Sequence, residues 1–273
     1  MPNIGYLGPQ GTYSSYASDL YSQNDNKIPF STINEVLNSL NTSGSDKVIV
    51  PLENSIHGSI VEVLDFLASK NDFHILAELN LEINHSIYTL NNLDFNKIDI
   101  VYSHPQALGQ CYDYLEKNFK NVELRASNST ADSFNDLLNS NNNGAFIGPP
   151  WMKKHENVKL IDENIQSVKN NVTRFVVIGN REGIDRTVSD KTSIVISINQ
   201  DSPGSLFKSL EPLAIKNINM TKIESRPTKE KLGSYYFFID IEGHINEPKI
   251  KECLEEISKL SNLKFLGSYP KFI

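Results

Sequence analysis

Two cysteines, Cys111 and Cys253, are all the thiol chemistry in this chain of 273 residues. They are too few and too far apart in sequence to form a disulfide framework. The six histidines, at 57, 74, 85, 104, 155 and 244, fall into no HxxxH or HExxH pattern. Without a CxxC pair either, a metal site has little support, and a metal-free protein is expected. Positive charge is also short: the net charge is −7 and no basic cluster with interleaved aromatics occurs, which argues against a nucleic-acid partner. An anionic small ligand must then be held by local groups, because the global field repels it weakly. No apolar run approaches the roughly 20 residues of a membrane span. The opening Met1-Pro2-Asn3-Ile4-Gly5-Tyr6-Leu7 lacks the charged, apolar and small-residue order of a signal peptide. A cytoplasmic protein with no membrane association is the expectation.

What is present suits a soluble protein with a real core: 39% of residues are hydrophobic and 22% charged. The length allows one large domain or two ordinary ones. Short apolar runs at 4–7, 48–50, 98–102, 122–125 and 144–147 alternate with helical patterns, including one over 60–67 and one through Leu108, Cys111, Tyr112 and Leu115. This order indicates an α/β fold with largely parallel sheets. Between them, Ile75, Ala77, Leu79, Leu81 and Ile83 alternate through 73–90, as one long strand or two, suited to a crossing between subdomains.

Four strand-to-helix turns, at 8–14, 53–59, 103–106 and 128–130, carry hydroxyls, amides or glycines. Such turns are where open α/β sheets bind ligands. Thr12 or Ser14 is placed to cap a helix whose first N–H groups attract an anion. The Gly8–Gly11 pair lacks both the lysine of a phosphate loop and the spacing of a dinucleotide fingerprint. Each turn alone is ordinary capping. All of them converge only if two halves of a domain face each other across a cleft.

Asn170-Asn171-Val172-Thr173-Arg174-Phe175-Val176-Val177-Ile178-Gly179 reads as a buried strand. Alternation puts Thr173 and Phe175 on one face and Arg174 on the other. Two readings are open here. A hydroxyl beside an aromatic can enter a pocket that Arg174 supports from behind or reaches around; or this is a strand entrance with a solvated arginine and a threonine chosen for β-propensity. The polar, weakly periodic stretch between Gly179 and Lys191 marks a boundary, giving domains of 1–182 and 190–273. Beyond it, strands at 192–198, 220–224, 235–241 and 263–269 and helices at 205–215 and 248–260 spell βαββαβ, a ferredoxin-like unit.

These motifs, in this order, resemble prephenate dehydratases with a C-terminal ACT domain. The resemblance covers nearly the whole length. It rests on Gly8-Pro9-Gln10-Gly11-Thr12-Tyr13-Ser14, Pro51-Leu52-Glu53-Asn54-Ser55, Ser103-His104-Pro105-Gln106-Ala107-Leu108, Ser129-Thr130-Ala131, Glu163-Asn164-Ile165-Gln166 and Asn171-Val172-Thr173-Arg174-Phe175. In the second domain it rests on Pro203-Gly204-Ser205-Leu206 and Glu224-Ser225-Arg226-Pro227. It implies two α/β subdomains like a type II periplasmic binding protein, with the active site between them. It further implies that Thr173 is the catalytic hydroxyl and that Thr12, Asn54, Ser55, Ser129, Thr130, Arg174 and Phe175 form the substrate pocket. Regulation by L-phenylalanine is implied at Pro203, Gly204, Ser205, Leu206, Glu224, Ser225 and Arg226, between the ACT domains of a homodimer or homotetramer. Three departures stand out: His57 where relatives often carry an acid, Ser205 for the usual alanine, and Gly148-Pro149-Pro150-Trp151 in place of a small-residue stretch.

Prephenate loses CO2 and its ring hydroxyl together and gains aromaticity as phenylpyruvate, so no cofactor is needed as an electron sink. On that resemblance, Thr173 hydrogen-bonds the leaving oxygen, directly or with water relaying the proton. Arg174 and the helix starts near Thr12 and Ser55 are expected to hold the carboxylate that survives. Two alternatives remain at this point: the same reaction on arogenate, and a non-catalytic amino-acid sensor.

Overall fold

The computed structural model describes residues 1–273 except 91, 92, 94, 141, 142, 181–185, 199–201, 230, 232 and 271–273. The expected domain boundary falls partly on 181–185, and Asp201 of the turn before the helix at 205 is likewise outside the described residues.

The chain first builds lobe 1: β1 (Asn3–Leu7), α1 (Tyr13–Tyr21), β2 (Asn26–Phe30), α2 (Ile33–Asn41), β3 (Lys47–Asn54), the short β4 (Gly58–Ser59), α3 (Val61–Ser69) and β5 (Phe73–Glu82). It crosses to lobe 2 through 83–85 and builds β6 (Ser86–Leu90), β7 (Ile100–Ser103), α4 (Pro105–Gln110), α5 (Tyr112–Asn118), β8 (Glu123–Ala126), α6 (Asp132–Leu138), β9 (Gly144–Gly148) and β10 (Val158–Asp162). It returns to lobe 1 as β11 (Val172–Asn180). The C-terminal domain then runs β12 (Asp190–Ser197), α7 (Ser205–Ile215), β13 (Met220–Pro227), β14 (Tyr235–Glu242), α8 (Pro248–Leu260) and β15 (Asn262–Pro270).

Lobe 1 has the strand order β2-β1-β3-β11-β5, lobe 2 the order β10-β6-β9-β7-β8, and the C-terminal sheet the order β13-β14-β12-β15. Insertion of the returning strand next to β3 is the type II periplasmic-binding-protein arrangement. The sheets are mixed rather than largely parallel, because β11 runs antiparallel to both β3 and β5, and β6 antiparallel to β9 and β10. The single helix expected through Cys111 is two helices. Cys111 leaves helical geometry at φ −107°, ψ 9° and separates α4 from α5.

Local chemistry explains the turns that matter. The Thr12 side chain accepts from the Ser15 N–H and caps α1. Pro105 stands at the first position of α4, where a missing N–H costs nothing, and the His104 side chain accepts from the Gln106 N–H. β11 lies between two neighbours with Phe175, Val176, Val177 and Ile178 all buried, as a strand covered on both faces requires.

Alternation in β12 divides the core of the C-terminal domain. Ile194 and Ile196 face α7 and α8, packing with Leu213, Ile250, Cys253 and Ile257. Val195, with Phe238, Leu266 and Tyr269, turns the other way into one apolar cluster with Val50, Leu52, Leu64 and Val176 of lobe 1. There β15 meets β5 so closely that a Cβ on Gly267 would stand 2.2 Å from the Ile75 carbonyl oxygen. Lobe 2 keeps clusters of its own, around Ile87, Val101 and Ile147 and around Tyr88, Phe134 and Phe146. Among the described residues, no helix is long and apolar enough to cross a membrane.

Candidate active site

A cleft of about 520 Å³ opens between the lobes. Lobe 1 lines it with Thr12, Tyr13 and Ser14 at the start of α1, and with Asn54 and His57 after β3. Lobe 2 contributes His104 at the cap of α4, Gln106 and Gln110 on that helix, and Asn128, Ser129 and Thr130 before α6. The crossing segments supply His85, Asn171, Thr173 and Phe175. Two of the expected pocket residues are elsewhere. Ser55 ties β3 to the returning chain, its hydroxyl donating to the Asn170 carbonyl at 3.1 Å and accepting from the Val172 N–H at 2.9 Å. Arg174 points to the opposite face of β11.

Thr173 is buried, and the direction of its hydrogen bond is determined by its neighbour. Asn54 Oδ1 accepts the backbone N–H groups of Ile56 and His57, each at 3.0 Å. A backbone N–H can only donate, so the other end of the Asn54 side chain must be its NH2. That group donates to Asn171 Oδ1 at 2.6 Å and to Thr173 Oγ1 at 2.9 Å. Thr173 therefore accepts from Asn54, and its own hydrogen remains to be given toward the cleft.

The amide arrangement continues across the hinge. Asn171 Nδ2 donates to Gln110 Oε1 at 3.3 Å, and the same oxygen lies 2.7 Å from His85 Nε2. Burial pushes the His85 pKa below the ordinary histidine value, with Gln110 opposing the shift, and its buried Nδ1 makes no hydrogen bond. Tyr13 adds a further tie: its hydroxyl donates to the Asn84 carbonyl at 2.6 Å and accepts the Asn84 N–H at 2.9 Å. Across the cleft, Gln106 Nε2 reaches His57 Nδ1 at 3.1 Å. His85 and Gln110 were not among the residues expected here. Asn84-His85-Ser86 interrupts an otherwise alternating apolar run, and Gln110 lies one helical turn beyond Gln106; both signals were in the sequence.

None of the described lining residues is Asp, Glu, Lys or Arg. The site is a neutral field of hydroxyls, amides, imidazoles and helix-start N–H groups. It suits a ligand that brings its own negative charge and finds donors for it.

Arg174 is instead the centre of a buried junction. Its Nε donates to Glu78 at 2.7 Å, one terminal nitrogen to Asp240 at 2.5 Å, and the other to the Tyr269 hydroxyl at 2.8 Å. Lys191 Nζ lies 2.8 and 2.7 Å from the two Glu78 oxygens. Burial opposes the Arg174 charge, but Tyr269, Asp240 and Glu78 outweigh it and raise the pKa. Two cations and two anions balance, as burial of charge demands. The expectation that Arg174 binds substrate from this strand is corrected by the C-terminal sheet, which occupies the face that arginine points toward.

The residues expected at a regulatory site are placed in two sets. Gly204 takes φ +86°, a left-handed turn at the start of α7 that favours glycine, flanked by Pro203, Ser205 and Leu206. Glu224, Ser225 and Arg226 lie on edge strand β13, where Lys222, Glu224 and Arg226 are half-buried and Ser225 is exposed. Lys222 Nζ bridges Glu53 at 2.8 Å and Glu224 at 2.9 Å, and Ser59 hydrogen-bonds Glu224. Arg226 pairs with Asp65 at 3.2 Å.

Residues 4–183 match the family model for prephenate dehydratase, and residues 192–259 that for the ACT domain. The chain belongs to the prephenate dehydratase family. It is 39% identical to the prephenate dehydratase of Methanocaldococcus jannaschii, over 98% of this chain and 97% of that one. It is 32% identical to that of Lactococcus lactis, over 98% of each. The solved prephenate dehydratase of Arthrobacter aurescens, in complex with L-Phe, superimposes with a TM-score of 0.89 at 29% identity, covering 99% of this chain and 90% of that one. The Staphylococcus aureus structure gives 0.84 at 31% identity, covering 99% and 100%. The chain is therefore an enzyme, a carbon–oxygen lyase of the prephenate dehydratase type.

Proposed function

We propose that the cleft converts prephenate to phenylpyruvate with Thr173 as the donor to the departing hydroxyl. As the ring carboxylate leaves as CO2, its bonding electrons enter the ring, the opposite C–O bond breaks, and hydroxide departs to become water with one added proton. Charge builds on that oxygen, and a donor fixed in advance stabilises it there most. The observation that carries this reading is the Asn54 amide on Thr173 Oγ1, which leaves the hydroxyl hydrogen available to the substrate. The surviving carboxylate is assigned to the start of α1, where Thr12, Tyr13 and Ser14 line the cleft, and Ser129 and Thr130 face it from lobe 2.

The same lining supports prephenate over arogenate in this reading. Arogenate carries an ammonium that, out of water, needs a carboxylate partner, and the described lining offers none. Both charged ends of prephenate are carboxylates, which the hydroxyls, side-chain amides and helix-start N–H groups of the lining can meet as donors.

Regulation by L-phenylalanine is part of the proposal, with the amino acid bound near Gly204, Ser205 and the outward Ser225, between ACT domains of paired subunits in a homodimer or homotetramer. The L-Phe complex of the Arthrobacter relative supports it. The test is phenylpyruvate formation from prephenate, with and without phenylalanine. Thr173→Ala is expected to lower kcat ~10²-fold with little change in KM, as loss of an oxyanion-type donor does. Loss of affinity at unchanged kcat would sink the role of Thr173.

A further inference from the structure

Trp151 is the only tryptophan of the sequence, and it stands in the stretch that departs from the family's small-residue pattern. It is not among the residues lining the cleft. It follows β9 in a 3-10 turn over Pro150–Lys154 of lobe 2, yet its side chain lies against lobe 1. The indole stacks on Tyr16 at a centroid distance of 4.5 Å and an interplanar angle of 23°. It meets Tyr13 edge-on at 4.8 Å and 71°. Its Nε1–H donates to the Gly11 carbonyl at 3.2 Å. All three contacts fall on the turn and first helical residues that present Thr12, Tyr13 and Ser14 to the cleft.

We propose that Trp151 is a positioning residue: a brace from lobe 2 that sets where the start of α1 stands relative to the lobe 2 wall of the cleft. This deepens the functional reading above and rests on it. A substrate with two anionic ends must meet donors on both lobes at once. A wall displaced by about 1 Å loses much of that simultaneous contact. Thr173 and Asn54 lie on neighbouring strands of lobe 1, so their hydrogen bond does not depend on the brace. The effect of losing it therefore falls on affinity for the substrate rather than on the chemical step.

The decisive comparison is kcat and KM for prephenate in wild type, Trp151→Ala, Trp151→Phe and Tyr16→Leu. Tyr16 is exposed, so the last variant attacks the same stack with little risk to folding. The expected result is a KM raised tenfold or more in Trp151→Ala with kcat within threefold of wild type. Trp151→Phe, which keeps the stack and loses the N–H, should recover most of the affinity, and Tyr16→Leu should raise KM in the same direction. A KM unchanged in both Trp151→Ala and Tyr16→Leu, or a fall in kcat at constant KM, would overturn the brace. Because this chain has one tryptophan, acrylamide quenching gives a readout independent of turnover. Tyr16→Leu should at least double the quenching constant of Trp151, and an unchanged constant would refute the stack itself. A folded wild type that does not turn over prephenate would overturn the functional reading instead, so the two failures are distinguishable.

Discussion

Asn54 gives Thr173 a hydrogen bond and takes none from it. The two backbone N–H groups on Asn54 Oδ1 force this direction. Asn54→Asp is nearly isosteric and keeps an oxygen for those backbone donors, but it replaces the NH2 with an acceptor. Thr173 would then spend its hydrogen on Asp rather than on the substrate. The expected outcome is a kcat lowered ~10²-fold, similar to Thr173→Ala, since both remove the same donor. The double variant should be little worse than either single one, as residues acting as a unit are not additive. Measurement of kcat for the three variants checks this, and near-normal turnover in Asn54→Asp would refute it.

Removing the Arg174 guanidinium should cost stability rather than substrate affinity. Arg174→Ala leaves Glu78, 0% exposed, and Asp240, 5% exposed, with less compensation. Breaking one partner out of a buried ion pair costs about 3–5 kcal/mol. Urea unfolding should show a loss of that order, and Arg174→Lys, which keeps the charge without the fork, a smaller one. A raised KM with unchanged stability would return Arg174 to the role the sequence first implied.

His85 should make stability fall in mild acid. Its folded-state pKa is depressed, by burial first. Between that lowered value and the ordinary 6.5, the unfolded chain binds a proton that the folded chain resists. Stability therefore rises with pH through this window and is complete above it. His104, also lowered by burial, adds in the same direction. His85→Gln should flatten the dependence of Tm on pH between about 5 and 7, where histidine titrates. An equally steep dependence in the variant would exclude His85 as the source.

Lys222 should carry the phenylalanine response inward. It joins Glu53, the residue before Asn54, to Glu224 on β13. Lys222→Met removes that bridge while leaving the cleft lining intact. Turnover without phenylalanine should stay within about twofold of wild type, since ion pairs of this partly exposed kind contribute about 1 kcal/mol or less to stability. The response to added phenylalanine should shrink. A full response in Lys222→Met would mean that coupling takes another route.

How much of this was readable from the chain depends on how local each cause is. The alternation of Thr173, Arg174 and Phe175 is a property of three residues, and the faces they occupy follow from it. The cap at Thr12 and the proline start of α4 are equally local. The fate of Arg174 is not, because its partners Asp240 and Tyr269 stand 66 and 95 residues later and reach it only when the C-terminal sheet packs on lobe 1. The strands β2 and β10 were missed for another reason. Both lie at sheet edges, where one flank is unpaired and the apolar pattern is weak; Pro29 within β2 reads as a break rather than a strand. Convergence of the strand-to-helix turns on one cleft could be posed from sequence only as a condition. It is met by lobe 2, through α4 and the segment before α6, and missed by Ser55, whose hydrogen bonds are spent on the chain beside it.

The apolar cluster shared by Val195, Phe238, Leu266 and Tyr269 with Val50, Leu52, Leu64 and Val176 relocates the mechanical seam of the molecule. By sequence the joint lies near residue 185, between two domains. By packing it lies inside the first domain, at the two strands of chain that enter and leave lobe 2. Lobe 1 and the ACT sheet share one buried apolar cluster, so amides of β11, β12 and β15 should exchange with solvent at a common, slow rate. Lobe 2 keeps separate cores and is held to this block by the two connecting segments and by contacts across the cleft such as the Trp151–Tyr16 stack. A chain cut after β11 would then expose part of a core rather than release a self-contained module, and exchanging one ACT domain for another would require carrying the partners of Arg174 with it.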